Sequence, residues 1–223
     1  MQAVILAAGL GTRLRPLTYT TPKPLLKIGD QTLIDMTLAA LPKEVDEIFL
    51  VVNYLRKQII EHVGDVSNGR RIHYVIQDPL TGTGGAIELL KTQLHDRFLV
   101  LNGDDLYSIT ALDEMLTHST SILLSETDKP LLAGAKLDMD GKFIGLTEST
   151  SSKSYRVCGA YLLNQDYFSY PPVEIFASEH IELGLPQTLA QLAAQHPVDV
   201  VITRDWYPIG TPEELEMVQG KRF

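Results

Sequence analysis

Apolar positions along the chain fall in short unbroken blocks, and the stretches between several of them carry helical spacing. Residues 3–6 (AVIL) are apolar throughout and run into a glycine-bearing turn at residues 7–11. Such a block ending in a turn fits a strand covered on both faces, although four apolar residues also fit an ordinary core. A second block, residues 48–52 (IFLVV), follows a helical pattern over residues 33–41, and residues 71–76 form a further strand after a polar helical segment. This rhythm predicts βαβ units, and hence a mostly parallel sheet flanked by helices.

The segment TGTGG (residues 81–85) precedes AIELL, and after it residues 98–101 (FLVL) lead into NGDD. Polar residues thus stand at a strand's carboxyl end, where loops of an open α/β sheet border the ligand crevice. Beyond the strand at residues 122–125 the rhythm loosens. Residues 132–137 and 143–146 enclose the turn DMDGK, and a further apolar run covers residues 157–163. We read these as an inserted, partly antiparallel region beside the principal sheet. A helix over residues 185–194, a strand over 198–202 and a closing helix over 212–218 complete the pattern. The serine-rich residues 149–154 read as a mobile loop, and no internal repeat is present.

Composition narrows the classes. With 223 residues and 44% hydrophobic content, one substantial core is affordable and two independent domains would be cramped. The formal charge of -9 opposes general binding to nucleic acid or anionic lipid. The single cysteine, Cys158, sits in the apolar run VCGAYLL and excludes an intramolecular disulfide framework. The six histidines are dispersed and give no short-range metal cluster. The opening lacks a secretory pattern, and no apolar stretch approaches the roughly 20 residues of a membrane span, so a cytoplasmic protein is expected.

Candidate chemistry concentrates in residues 6–26, LAAGLGTRLRPLTYTTPKPLL. The first 29 residues carry Arg13, Arg15, Lys23 and Lys27 but no Asp or Glu, a local basic field within an acidic chain. Gly9 and Gly11 can remove Cβ obstruction where backbone amides approach a phosphate, with Thr12, Arg13 and Lys23 adding directed contacts. A Walker A loop would end in GK followed by Ser or Thr, whereas this chain reads GTRLRP, and the final glycine of GxGxxG is missing. From residue 157 to 203 there is no Lys or Arg, while Asp166, Glu174, Glu179, Glu182 and Asp199 are present. That stretch offers no second phosphate platform but leaves room for hydroxyl recognition or a subunit surface.

The opening segment, together with PKPLL, GTGGA, NGD, DMDGK and IGTPEEL in that order, resembles the sugar-1-phosphate nucleotidyltransferases, also called nucleoside-diphosphate-sugar pyrophosphorylases. The resemblance spans nearly the whole chain. It implies a Rossmann-like α/β nucleotide-binding domain over residues 1–223, with a sugar-binding insertion at about 126–184. It further implies transfer of a nucleoside monophosphate from a nucleoside triphosphate (UTP, dTTP, GTP or CTP) to a sugar 1-phosphate, supported by Mg2+. Leu6, Ala8, Gly9, Gly11, Thr12, Arg13, Gln77, Gly82, Thr83 and Gly84 would bind the nucleotide. Asn102, Glu148, Gly159 and Tyr161 would meet the sugar, Tyr161 beneath a pyranose or simply within the core. Arg13, Lys23 and Asp104 would carry the chemistry, with Asp104 holding the metal and Asp105 its less favoured neighbour.

Three departures stand out. Thr81 adds a residue to the family form EPLGTGGA, and Ser149 replaces the lysine of EKP, leaving Lys153 as a mobile substitute or a solvent-facing charge. WYPIGTPE carries Pro208 where relatives have an aspartate, so Asp205 becomes the candidate second ligand. These departures keep a noncatalytic nucleotide-sugar sensor or assembly subunit in play. Homo-oligomerisation stays open.

Overall fold

The computed structural model describes residues 1–149, 153–177 and 180–221. An eight-stranded sheet forms its centre. Across the sheet the strands run Asp199–Thr203, Ser121–Thr127, Ser154–Asn164, Arg97–Asn102, Gln2–Ala7, Glu47–Val52, Arg70–Ile76 and Val66–Ser67. Gln2–Ala7 pairs in parallel with both Glu47–Val52 and Arg97–Asn102. Antiparallel pairing enters through Ser154–Asn164, against Arg97–Asn102 and Ser121–Thr127, and through the short edge strand Val66–Ser67. The mostly parallel, helix-flanked sheet matches the expectation from the apolar blocks.

The central strand divides its side chains between two apolar layers. Ala3, Ile5 and Ala7 join the cluster with Ile34, Leu50 and Leu101, while Val4 joins Phe49, Ile87 and Val100 on the other face. Alternation of side chains along a strand covered on both sides requires apolar residues at every position, which is why the block in the sequence is unbroken. The helix Leu33–Ala40 is started by a capping box: Asp35 N–H donates to Thr32 Oγ1 at 3.2 Å and Thr32 N–H to Asp35 Oδ2 at 3.2 Å. A third cluster, with Leu14, Leu26, Leu33, Ile209 and Val218, fastens the opening segment to the closing helix Pro212–Val218.

One placement differs from the sequence expectation. Residues 157–163, expected beside the principal sheet, lie within it as part of Ser154–Asn164, which stands between four parallel strands on one side and the parallel pair Ser121–Thr127 and Asp199–Thr203 on the other. Pairing partners distant in sequence decide this, and the local apolar pattern carries no record of them. The antiparallel pair Leu131–Leu137 and Phe143–Ser149 forms as expected around the DMDGK turn. A second hairpin, Val173–Ala177 with His180–Gly184, had no counterpart in the sequence reading. Of the serine-rich loop, residues 150–152 lie outside the described residues, as does Glu179; Lys153 pairs with Glu126 at 3.2 Å. Among the described residues no helix is long and apolar enough to cross a membrane.

Candidate active site

The loops leaving the carboxyl ends of Gln2–Ala7, Arg97–Asn102 and Arg70–Ile76 supply walls for two cavities of about 220 and 280 Å³. Leu6, Gly9 and Asp104 line both, so the cavities adjoin, and only together do they reach the roughly 300–1,000 Å³ usual for ligand pockets.

The first cavity is built by the basic opening. Gly9 has no heavy atom within 4 Å of where a Cβ would stand, so its missing side chain leaves open space. Gly11 is different: it has φ +63°, and a Cβ there would meet Thr18 Cγ2 at 3.0 Å and Lys23 Cβ at 3.2 Å. Thr18 Oγ1 donates to Gly11 O at 2.7 Å, so the glycine loop is strapped onto the segment that delivers Lys23. Thr12 and Arg13 line the same cavity from the turn Thr12–Leu14. The two terminal guanidinium nitrogens of Arg13 would each lie 3.2 Å from a Cβ at Gly210, whose N–H donates to Glu214 Oε2 at 2.7 Å. The IGTPEEL segment thus backs Arg13, and Gly210 is a wall residue that the sequence reading did not single out.

Lys23 is buried, its ammonium donating to Asp104 Oδ2 in a very short ion pair at the junction of the cavities. Gly103 makes this possible. Its N–H donates to Leu6 O at 2.9 Å, and a Cβ would meet Ile5 Cγ2 at 2.9 Å, so the turn sits directly on the central strand and presents Asp104 beyond its end.

Asp105 lies behind, buried, with Oδ1 accepting from Ile209 N–H at 3.4 Å. Burial, then the adjacent Asp104 charge, push its carboxyl up to about 7, while Lys23 pulls the other way. Asp105 is also the register partner of Pro208 in the short pair Asp105–Tyr107 with Trp206–Pro208. Directly opposed residues of an antiparallel pair share a face, so a carboxylate stands across the ladder from the proline. Asp205 is exposed and lines a different cavity, with Met36, Ala39 and Tyr207, to which Asp104 does not contribute. Among the described residues no group of three or more His, Cys, Asp or Glu side chains converges as a metal cage. One carboxylate at the cavity junction with a second behind it fits a hard cation that takes its remaining ligands from substrate oxygens and water.

The second cavity contains Leu6, Ala8, Gln77, Gly82, Thr83 and Asn102, with Leu80 and Glu182 added to the expected set. Gln77 is buried and its Nε2 donates to Thr81 Oγ1 at 3.1 Å and Gly82 O at 2.8 Å. The extra residue Thr81 therefore braces the amide. The glycines belong to the helix Gly82–Glu88 itself, and they lie under the strand His180–Gly184. A Cβ at Gly82, which has φ +83°, would stand 2.7 Å from Leu183 O, and one at Gly84 3.0 Å from the same atom. Leu183 N–H donates to Thr81 O at 2.8 Å and closes the joint.

The residues expected at the sugar do not gather in these walls apart from Asn102. Gly159 has φ +69°, and a Cβ there would be 2.1 Å from Asn102 Nδ2, so its missing side chain makes room for that amide. Tyr161 is buried with Phe98 and Tyr167 in the core, and Glu148 is exposed on Phe143–Ser149. Cys158 is buried and its thiol is pushed up by burial, in keeping with a packing role.

The family model described as nucleotidyl transferase matches residues 2–221. The chain is 32% identical to the bifunctional protein GlmU of Methanococcus maripaludis over 96% of its own length and 53% of that protein's, so it spans about half the length of the curated relatives it matches first. It is 29% identical to the D-glycero-alpha-D-manno-heptose 1-phosphate guanylyltransferase of Campylobacter jejuni, over 93% of this chain and 97% of the relative. The crystal structure of HddC from Yersinia pseudotuberculosis superposes with a TM-score of 0.74 at 23% identity, covering 97% of each chain, and speaks for the fold. The match over nearly every residue, with the basic glycine loop, Lys23 and Asp104 gathered at one crevice, makes this chain a member of the nucleotidyl transferase family.

Proposed function

We propose that the chain transfers a nucleoside monophosphate from a nucleoside triphosphate to a sugar 1-phosphate, giving a nucleoside-diphosphate sugar and pyrophosphate. The observation that carries this is the pair of adjoining cavities with the Lys23–Asp104 ion pair at their junction and Arg13 in the first. A phosphate oxygen of the sugar 1-phosphate attacks the α-phosphorus, a new P–O bond forms, and the α–β bridging bond breaks with its electron pair leaving on pyrophosphate. No protein nucleophile takes part. The chain's task is alignment and charge stabilisation of two anions.

Lys23, held out of water, presents a fixed positive charge where charge builds in transfer, and Arg13 binds the phosphates from the other wall. Gly9 leaves the backbone open to a phosphate oxygen. Asp104, with Asp105 behind it, would hold a magnesium ion, which when bound supplies positive charge to the phosphate oxygens. On this reading the whole chain is one transferase domain, with residues 126–184 as the inserted sugar-binding region and Glu148 available to a sugar hydroxyl.

The test is a matrix of UTP, dTTP, GTP and CTP against hexose and heptose 1-phosphates, scored by pyrophosphate release with magnesium. Turnover in at least one pairing, abolished by Asp104→Asn, is the expected result. Pro208 favours a second reading, a nucleotide-sugar sensor. Nucleotide binding without turnover anywhere in the matrix would establish that reading and overturn the first.

A further inference from the structure

Glu182 stands in the wall of the second cavity, and no motif in its surroundings marks it. Its place is fixed from both sides. Leu183 N–H donates to Thr81 O at 2.8 Å and Leu185 N–H to Thr83 Oγ1 at 3.2 Å, so the end of the strand His180–Gly184 and the residue after it are stitched to the start of the helix Gly82–Glu88. Glu182 Cβ lies 2.7 Å from where a Cβ of Gly82 would stand. Glu182 therefore belongs to the Gln77–Gly82 end of the cavity, whereas Asp104 and Gly9 mark the end that joins the phosphate site. If phosphates lie at that junction, the far end receives the base; the inference rests on the transferase reading above to this extent.

Two side-chain groups at the far end, the Gln77 amide oxygen and the Glu182 carboxylate, are acceptors, and Thr83 adds a hydroxyl whose oxygen accepts from Leu185 N–H. A backbone carbonyl can only accept, so the 2.8 Å contact to Gly82 O fixes Gln77 with Nε2 toward the loop, and Thr81 Oγ1 takes up Nε2 as well. The amide's open group is Oε1. Glu182 adds a carboxylate that is 30% exposed and steadied by His180 Nε2 at 2.9 Å from Oε1. Leu6, Val51, Leu80 and Ala86 make the surrounding wall apolar.

We propose that Glu182 is a specificity-determining residue of the nucleotide site and that the base it selects is guanine. Guanine is the common base that sets two donors side by side, N1–H and the 2-amino group, and a carboxylate receives them together. Uracil and thymine flank N3–H with two carbonyl oxygens, which would face the acceptors of this wall. Cytosine and adenine place a ring-nitrogen lone pair beside their amino group. In the shielded end of a cavity, such unmatched acceptor pairs are costly.

The experiment is titration calorimetry of the full chain with GTP, ITP, UTP, dTTP, CTP and ATP at fixed magnesium, repeated for Glu182→Gln and Glu182→Asp, with pyrophosphate release followed for each triphosphate. ITP keeps N1–H and lacks the 2-amino group. GTP should bind the unaltered protein about tenfold or more tightly than ITP or UTP, the scale of one good bidentate contact. Glu182→Gln should erase most of the GTP-over-ITP gap and leave UTP binding no weaker, since the amide exchanges one of the acceptors that the carbonyl oxygens of uracil would face for a donor. Tighter binding and turnover of a pyrimidine nucleotide by the unaltered protein would overturn the guanine assignment while leaving the transferase reading intact. An equal loss for all nucleotides in folded Glu182→Gln would overturn it too, showing a ribose or structural role. These rankings in the unaltered protein decide the base without any variant.

Discussion

Two glycine-rich stretches border the site, and they owe their glycines to different partners. At Gly9 a side chain would meet nothing, so the protein has left the space to something else. At Gly82, Gly84 and Gly85 a side chain would strike Leu183 O or Thr81 Oγ1, so the space is already taken by the protein's own strand and loop. In sequence, GLG and GTGG look alike. In the structure Gly9 is an opening, whereas Gly82, Gly84 and Gly85 form a joint, and a substitution in each should fail in a different way.

The largest expected effect lies on the open side. Asp104→Asn should lower kcat/KM by roughly 10²–10³, the scale of removing one preorganised electrostatic contact, with the fold retained and the unfolding midpoint lowered because buried Lys23 loses its counter-charge. Steady-state kinetics over a magnesium titration, beside thermal unfolding, would check it; unchanged magnesium-dependent turnover would remove Asp104 from the site.

A matched pair of alanines addresses the contrast itself. Gly82→Ala places a Cβ 2.7 Å from a backbone oxygen at positive φ and should destabilise by about 2–4 kcal/mol in urea unfolding. Gly9→Ala should move stability by less than about 0.5 kcal/mol while weakening nucleotide binding, because its Cβ projects into the ligand's space. Equal stability losses would erase the distinction between opening and joint.

A smaller effect should appear as a pH dependence of the metal-free protein. Asp105 has its carboxyl raised from 3.8 to about 7, so the folded state favours the protonated form. That stabilisation is fully present below the ordinary value and is lost as pH rises through about 7. In chelator, Asp105→Asn should therefore flatten the fall in stability between acid and neutral pH, raising the unfolding midpoint more at pH 8 than at pH 4. Identical shifts at both pH values would show that burial of this group is not what the titration reports.

The smallest effect is expected for Asp205→Asn. Because Asp205 lines another cavity, magnesium-supported turnover should stay within about twofold, the size of an exposed substitution away from special features. A loss comparable to that of Asp104→Asn would show that Asp205 reaches the metal after all.

Local patterns carried much of this architecture. Residues 3–6 and 48–52 read as buried strands because covered parallel strands must be apolar at each position, and residues 212–218 form the closing helix that their proline start anticipates. The first cavity was equally legible, since its basic residues lie within one short segment. What stayed hidden depends on pairing across long sequence distances. Val157–Leu163 gives no sign of which neighbours it joins, and Glu182 reads as one acid in an acidic stretch until the strand His180–Gly184 is laid over the helix Gly82–Glu88. The opposition of Asp105 and Pro208 likewise exists only in register.

The contact between Gly159 and Asn102 has a bearing on how this sequence can change. The Asn102 amide fills the place that any side chain at residue 159 would need, and the positive φ of Gly159 already discourages one. The two positions are therefore epistatic, and the order of substitution matters. Asn102→Gly can come first and leave a hole; Gly159→Ala coming first meets a collision. A lineage exploring new residues on the turn that carries Asp104 is steered along one mutational path, with residue 102 shrinking before residue 159 grows.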